Sequence, residues 1–224
     1  MKYDTIKGLD KKISKLIIGN DNQNEYDSAA KLWDHWIKVG GNAFDNAHIY
    51  GKGEMEKLLG EWHTKRNNRD DIVIIAKGAH TPDCNPKSLS DQLTESLDRL
   101  QIDYADIYIM HRDNIDISVD EFIDVLNQEK NRGRIKIFGG SNWTLDRFHK
   151  ANKWANENNK HDYDEEFSEK DIFKTPKVEK NYSHAYHLYP LQINFDKKDQ
   201  KRRLFHKLYK NKIKLQVHYI PIHL

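Results

Sequence analysis

Side chains able to do chemistry recur at the ends of apolar runs in this 224-residue chain. Asp45 follows Asn42-Ala43-Phe44, Lys77 follows Ile72 to Ala76, His111 follows Ile107 to Met110, and Ser141-Asn142 follow Ile135 to Gly140. Tyr50 stands just beyond Asp45, in the loop NAHIYGKGE. A carboxylate, a phenol, an ammonium and an imidazole drawn together make a proton-transfer set. The ammonium stabilises the phenolate and the carboxylate keeps the ammonium charged and placed, so the phenol becomes a usable acid near neutral pH. Any one of these residues alone reads more simply as a cap or a solvated loop position. Their recurrence, in order, at successive strand ends argues against that reading.

The elements that must position them form a repeat of apolar strand, loop and amphipathic helix. Leu16-Ile17-Ile18-Gly19 is the first run, followed by a helix pattern from Ser28 to Val39 with Ala29, Leu32, Trp33, Trp36 and Ile37 on one face. Gly40-Gly41 ends it. Next come Ala43-Phe44-Asp45, a helix from Glu54 to Lys65, the run Ile72 to Lys77 and a helix from Ser88 to Leu100. Ala105 to His111, a helix from Ser118 to Asn131, Ile135 to Gly139 and a helix from Leu145 to Glu157 complete five β-α units. The runs are apolar without alternation, as in parallel strands buried on both faces. A doubly wound sheet and a (β/α)8 barrel both fit. A hairpin of Tyr3 to Ile6 and Ile13 to Lys15 around Gly8-Leu9-Asp10, suited to closing the bottom of a barrel, favours the barrel. Eight units need roughly 250 residues, so the expected fold is α/β, a partial TIM barrel.

The motifs F-D-N-A-H-I-Y-G, I-I-A-K-G, D-Y-A-D-I-Y-I-M-H-R and G-G-S-N, in this order, resemble those of the aldo-keto reductase family, over about residues 3–157. The resemblance implies that Tyr50 protonates a carbonyl oxygen while a nicotinamide delivers hydride. It further implies that Lys77 and Asp45 tune and hold Tyr50, that His111 orients the carbonyl, and that Ser141 and Asn142 bind the nicotinamide carboxamide. The implied cofactor is NADP(H), with NAD(H) the alternative, and the implied substrate is a small carbonyl compound, such as a sugar. Gly51-Lys52-Gly53-Glu54-Met55-Glu56 begins like a Rossmann fingerprint but ends on Glu56 and follows no buried strand. Thr81 to Pro86 reads as a βα loop with turn residues, with lining of a substrate pocket as the alternative.

Beyond this the pattern changes. The polar stretch 158–183 reads as a linker. Residues 184–224 read as a small α+β fragment, with a strand from His187 to Phe195, a basic helix from Asp199 to Lys210 and a strand from Leu215 to Ile222. H-L-Y-P-L-Q-I-N-F and Q-V-H-Y-I-P-I-H-L resemble the C-terminal small domain of DegT/DnrJ/EryC1 sugar aminotransferases. That family's domain with the Schiff-base lysine is absent, which argues against pyridoxal phosphate as a cofactor. The charge split agrees with two origins: residues 160–224 carry 14 basic and 9 acidic residues within a chain of net charge +2. The chain therefore reads as a join of two incomplete genes. An open five-stranded sheet leaves an edge through which copies could associate.

The near-neutral balance gives no reason to expect a nucleic-acid partner. No apolar run approaches the roughly 18 residues that span a bilayer, and the N-terminus lacks a signal core, so the expected location is cytoplasmic, without a membrane partner. One cysteine, Cys84, excludes an internal disulfide and a multi-Cys zinc site. His184 with His187, and His218 with His223, lack matching ligands, so no metal site is expected. Trp33, Trp36, Trp62 and Trp154 are expected core residues. Three functions compete: a carbonyl reductase, a non-catalytic remnant lacking the cofactor's phosphate clamp, and a fragment that lends its tail to an aminotransferase.

Overall fold

Four of the five apolar runs become strands because they carry residues that bury on both sides of a sheet. The computed structural model describes residues 1–23 and 25–161. Strands β1 (Tyr3–Asp4) and β2 (Ile13–Ser14) pair antiparallel. Five parallel strands follow in chain order: β3 (Ile18–Gly19), β4 (Ala43–Asp45), β5 (Val73–Gly78), β6 (Ala105–Met110) and β7 (Ile135–Gly140). Each is followed by a helix: α1 (Tyr26–Lys38), α2 (Glu54–Arg66), α3 (Pro86–Leu100), α4 (Val119–Asn131) and α5 (Leu145–Glu157). The five expected units and the hairpin are therefore present. The expected helix and strand ends differ from the observed ones by at most two residues.

Local sequence sets the helix ends. Gly40, at φ 88°, ends α1 with its N–H on the carbonyl of Ile37, while the Gly41 N–H bonds the carbonyl of Trp36. This pair of bonds is a Schellman stop that favours glycine in the left-handed position. Asn85 starts α3 by accepting from the Ser88 N–H at 2.9 Å, with Pro86 at the first helical position.

The sheet divides two cores. Ile74 and Ala76 face the helices, packing with Trp33, Trp62, Leu93 and Phe122. Val73 and Ile75 face the other way, with Ala43, Ile107 and Ile137 and the hairpin residues Ile6 and Ile13. Gly8 lets the hairpin close on this inner face: its φ is +87°, and a Cβ there would lie 2.7 Å from the Ile137 side chain. The hairpin sits at the N-terminal ends of the strands, where Lys11 donates to the carbonyls of Arg69 and Ile72 and pairs with Asp106 at the start of β6.

Three expectations need correction, and one core residue was missed. Leu16 and Ile17 are exposed, and the first strand shrinks to Ile18–Gly19. Leu32 is also exposed, because the buried stripe of α1 runs through Ala29, Ala30 and Trp33, and Leu32 is one step of about 100° around from Trp33. Trp36 and Trp154 are only partly buried, at the rim of the core. Trp143, which the sequence pattern did not single out, is buried between Phe122 and Phe148. The elements expected after residue 161, with His184, His187, His218 and His223, lie outside the described residues. Among the described residues no helix is long and apolar enough to cross a membrane.

Candidate active site

The sheet register brings the reactive side chains together. Asp45 pairs with Ile75, Lys77 stands two residues further along the same face, and Lys77 pairs with Ile109, two residues before His111. Strand alternation therefore puts Asp45, Lys77 and His111 on the inner face, at the C-terminal ends of their strands. That is the end at which β/α barrels carry their chemistry.

Lys77 is the hub. Its Nζ lies 2.7 Å from the Asp45 carboxylate and 2.8 Å from the Tyr50 hydroxyl oxygen, to both of which it donates. Burial pushes the Asp45 carboxyl up, against the pull of Lys77. Burial also works against the charge on Lys77, but Asp45 and Tyr50 outweigh it and the ammonium is held above its ordinary value. The Tyr50 and His111 rings meet edge to face with centroids 5.8 Å apart. Burial pushes His111 down to about 3, helped by Lys77, His80 and Arg112, so its imidazole is neutral at physiological pH. Its Nδ1 has no hydrogen-bond partner among the described residues.

The loop carrying Tyr50 is built to hold it there. The N–H groups of Asn46 and His48 extend the sheet ladder onto the carbonyls of Ile75 and Lys77. Gly51, Lys52 and Gly53 then take φ values of 54°, 56° and 93°, so the sequence that began like a Rossmann motif is a left-handed turn into α2. Gly53 suits this turn because its φ of +93° is one that L side chains rarely adopt, and the space a Cβ would fill is taken by the Arg99 guanidinium. Arg99 in turn pairs with Glu95 at 2.7 Å and with the buried Glu56 at 3.3 Å, and it reaches the His48 carbonyl. Burial pushes the Glu56 carboxyl up, against the contrary pull of Ser96 and Arg99.

A cavity of about 290 Å³ opens beside this group, with Lys77, His111, His48, His80, Asp83 and Gln92 among its lining residues. Thr81 and Pro82 line it as well. The loop 81–86 thus does reach the pocket. Cys84, in the same loop, is buried, with its thiol pushed up to about 11 by burial. Ser141 and Asn142 follow β7 at the same end of the sheet: the Asn142 amide donates to the His111 carbonyl and to Ser141 Oγ, each at 3.0 Å. Asn142 has φ 63°, a left-handed position that Asn tolerates. All six expected site residues therefore sit at one end of the sheet. His80 and Arg99 were missed. His80 stands in the loop after β5 and Arg99 in the last turn of α3, and neither ends an apolar run.

Residues 15–181 match the aldo/keto reductase family model, and residues 143–224 match that of the DegT/DnrJ/EryC1/StrS aminotransferase family. The chain is 33% identical over 143 residues to norsolorinic acid reductase B of Aspergillus parasiticus, covering 57% of this chain and 37% of that protein. It is 31% identical over 142 residues to an aryl-alcohol dehydrogenase of Pestalotiopsis microspora, covering 58% of this chain and 37% of that one. Among solved structures it is similar to the holo form of the aldo-keto reductase AKR11C1 from Bacillus halodurans, with a TM-score of 0.60 and 26% identity. That likeness covers 68% of this chain and 55% of the other. The chain thus spans 37% of the length of these two curated relatives.

Proposed function

The chain belongs to the aldo/keto reductase family, and on that premise we propose that it reduces a small carbonyl compound to an alcohol with Tyr50 as the proton donor. The observation that carries this reading is the bridge from Asp45 through Lys77 to Tyr50, with bonds of 2.7 and 2.8 Å.

Tyr50 gives its proton to the carbonyl oxygen, and the Lys77 ammonium offsets the negative charge left on the phenolate. Asp45 keeps that ammonium protonated through the cycle. His111, neutral and at right angles to the Tyr50 ring, holds the carbonyl oxygen from the other side. Ser141 and Asn142 fit a primary carboxamide, since a hydroxyl and a side-chain amide together offer both donors and acceptors. A reduced nicotinamide held there would supply hydride to the carbonyl carbon. NADP(H) is the cofactor of this reading, with NAD(H) as the alternative, and the protein is placed in the cytoplasm.

The test titrates NADPH and NADH by quenching of tryptophan fluorescence and follows aldehyde reduction in wild type and Tyr50→Phe. Saturable binding with turnover that collapses in the variant is the expected result. Equal turnover in the two proteins would remove the tyrosine from the mechanism. Absence of saturable binding at millimolar cofactor favours the second reading, a non-catalytic join of two gene fragments. The two family matches support that second reading, because they meet within one chain.

A further inference from the structure

The His111 ring is held by few contacts of its own. It lies edge to face against the rings of Tyr50 and His80, with centroids 5.8 and 4.8 Å away, and its Nδ1 has no hydrogen-bond partner among the described residues. Its place therefore depends on the backbone that carries it. That backbone opens the segment 111–118, which joins β6 to α4 without helix or strand. Ile115 in its middle is 79% exposed, so apolar burial does little to anchor it.

Polar side chains from the next strand end and helix hold the segment instead. Asn142 donates to the His111 carbonyl at 3.0 Å, and Trp143 Nε1 donates to that of Arg112 at 3.3 Å. Arg147, in the first turn of α5, reaches furthest. Its Nε and one terminal nitrogen lie 3.0 to 3.2 Å from the Asp113 carboxylate, and the same terminal nitrogen meets the carbonyls of Asn114 and Ile117 at 3.0 and 2.9 Å. One rigid planar fork thus fixes three residues of the segment. Both charged side chains are largely buried, and the guanidinium stands 5.1 Å from the centre of the Trp143 ring. The backbone N–H of Arg147 donates to Thr144 Oγ1 at 3.2 Å, so the fork rises from a capped helix start.

The helix that carries this fork begins just after Ser141 and Asn142. We propose that Arg147 is a positioning residue: paired with Asp113, it sets the spacing between the carboxamide pair Ser141–Asn142 and His111, and so between hydride donor and carbonyl. This rests on the reductase reading and adds to it a residue that touches neither cofactor nor substrate. Reacting groups must meet within about 3–3.5 Å, and a displacement of about 1 Å can cost roughly 10²-fold in rate. An arginine that only fastened α5 to the barrel would bond to a neighbouring helix. Arg147 bonds to the carboxylate and carbonyls of the segment behind His111.

Two variants of the full chain test this. Arg147→Lys keeps the charge and loses the fork. Asp113→Leu combined with Arg147→Met removes both charges together, so no ion is left buried alone and stability stays close to wild type. In each, kcat for propanal reduction by NADPH is expected to fall about 10- to 100-fold, with KM near wild type. Wild-type kcat in either folded variant overturns the proposal, because the pair then only fastens α5. A second readout needs no turnover and uses Cys84, the chain's single cysteine. Its buried thiol donates to the Arg112 carbonyl at 3.3 Å, and its own carbonyl accepts from the Asn114 amide at 2.9 Å. Alkylation of Cys84 by iodoacetamide under native conditions is expected to quicken about tenfold or more in the double variant, as the released segment opens. An unchanged alkylation rate at matched stability overturns the proposal. If wild type reduces no aldehyde while alkylation quickens, the hold of Arg147 on the His111 segment stands and only the reductase reading fails.

Discussion

Two charged clusters lie at opposite ends of the same sheet, and they use their charges differently. At the N-terminal end, both oxygens of the Asp106 carboxylate are engaged: Oδ1 pairs with Lys11 at 3.2 Å, while Oδ2 takes Arg69 at 2.8 Å and the Ile74 N–H at 2.9 Å. The Tyr104 ring is flanked by the same two cations and by Lys136. At the C-terminal end, Asp45 has one cation, Lys77, which it shares with Tyr50, and the cluster borders an open cavity. The first arrangement closes the floor of the fold and leaves its carboxylate no oxygen to spare. The second leaves Nδ1 of a neutral imidazole, His111, without a partner among the described residues, in the wall of that cavity. The floor carboxylate has both oxygens engaged, whereas the mouth pairs its carboxylate with a single cation beside a cavity.

The strongest test of this contrast is at the mouth. Tyr50→Phe should lower kcat for aldehyde reduction by about 10²- to 10⁴-fold, the range of a general acid, with little change in melting temperature. A large loss of stability instead would make Tyr50 a structural residue. At the floor, Asp106→Asn should do the reverse. Breaking a buried ion-pair cluster costs about 3–5 kcal/mol, read as a lower denaturant midpoint, while kcat in the folded fraction stays near wild type. A variant as stable as wild type would make the floor cluster dispensable.

A smaller effect concerns pH. The ordinary histidine value of 6.5 falls to about 3 for His111 in the fold. Between these values the unfolded chain binds a proton that the folded chain does not, so this group's contribution to stability falls as pH drops from 6.5 toward 3. His111→Gln should flatten that part of the stability profile, measured by urea unfolding at a series of pH values. An identical slope would show that the imidazole titrates normally. The smallest effect is expected at neither cluster: Leu32→Ser, on the exposed side of α1, should change stability by no more than about 0.5 kcal/mol. A loss of several times that would restore Leu32 to the core.

The mouth was more legible in the sequence than the floor. Asp45, Lys77 and His111 each end an apolar run, so the rule that parallel strands share a polarity was enough to gather them. Tyr50 came with Asp45, a few residues away. Asp106 sits near the start of its run, and its partners Lys11 and Arg69 come from the hairpin and from the turn before β5, with no shared period to announce them. His80 escaped for the same reason, since its meeting with His111 depends on two loops lying side by side. Leu32 was misplaced because a helical stripe gives the direction of burial but not how far a neighbouring helix extends over it. Repeating local rules read well from a sequence. Contacts between unrelated loops do not.

The identity of strand order and chain order has a consequence for how the molecule is made. A ribosome releases the chain from its N-terminus at roughly 5–20 residues per second, and each new strand here docks beside the one just made. Among the described residues no strand has to wait for a partner encoded much later. Asp45, Tyr50, Lys77 and His111 are all in place once β6 and the residue after it have emerged. The proton-transfer set can thus take shape before α4 and β7 have left the ribosome.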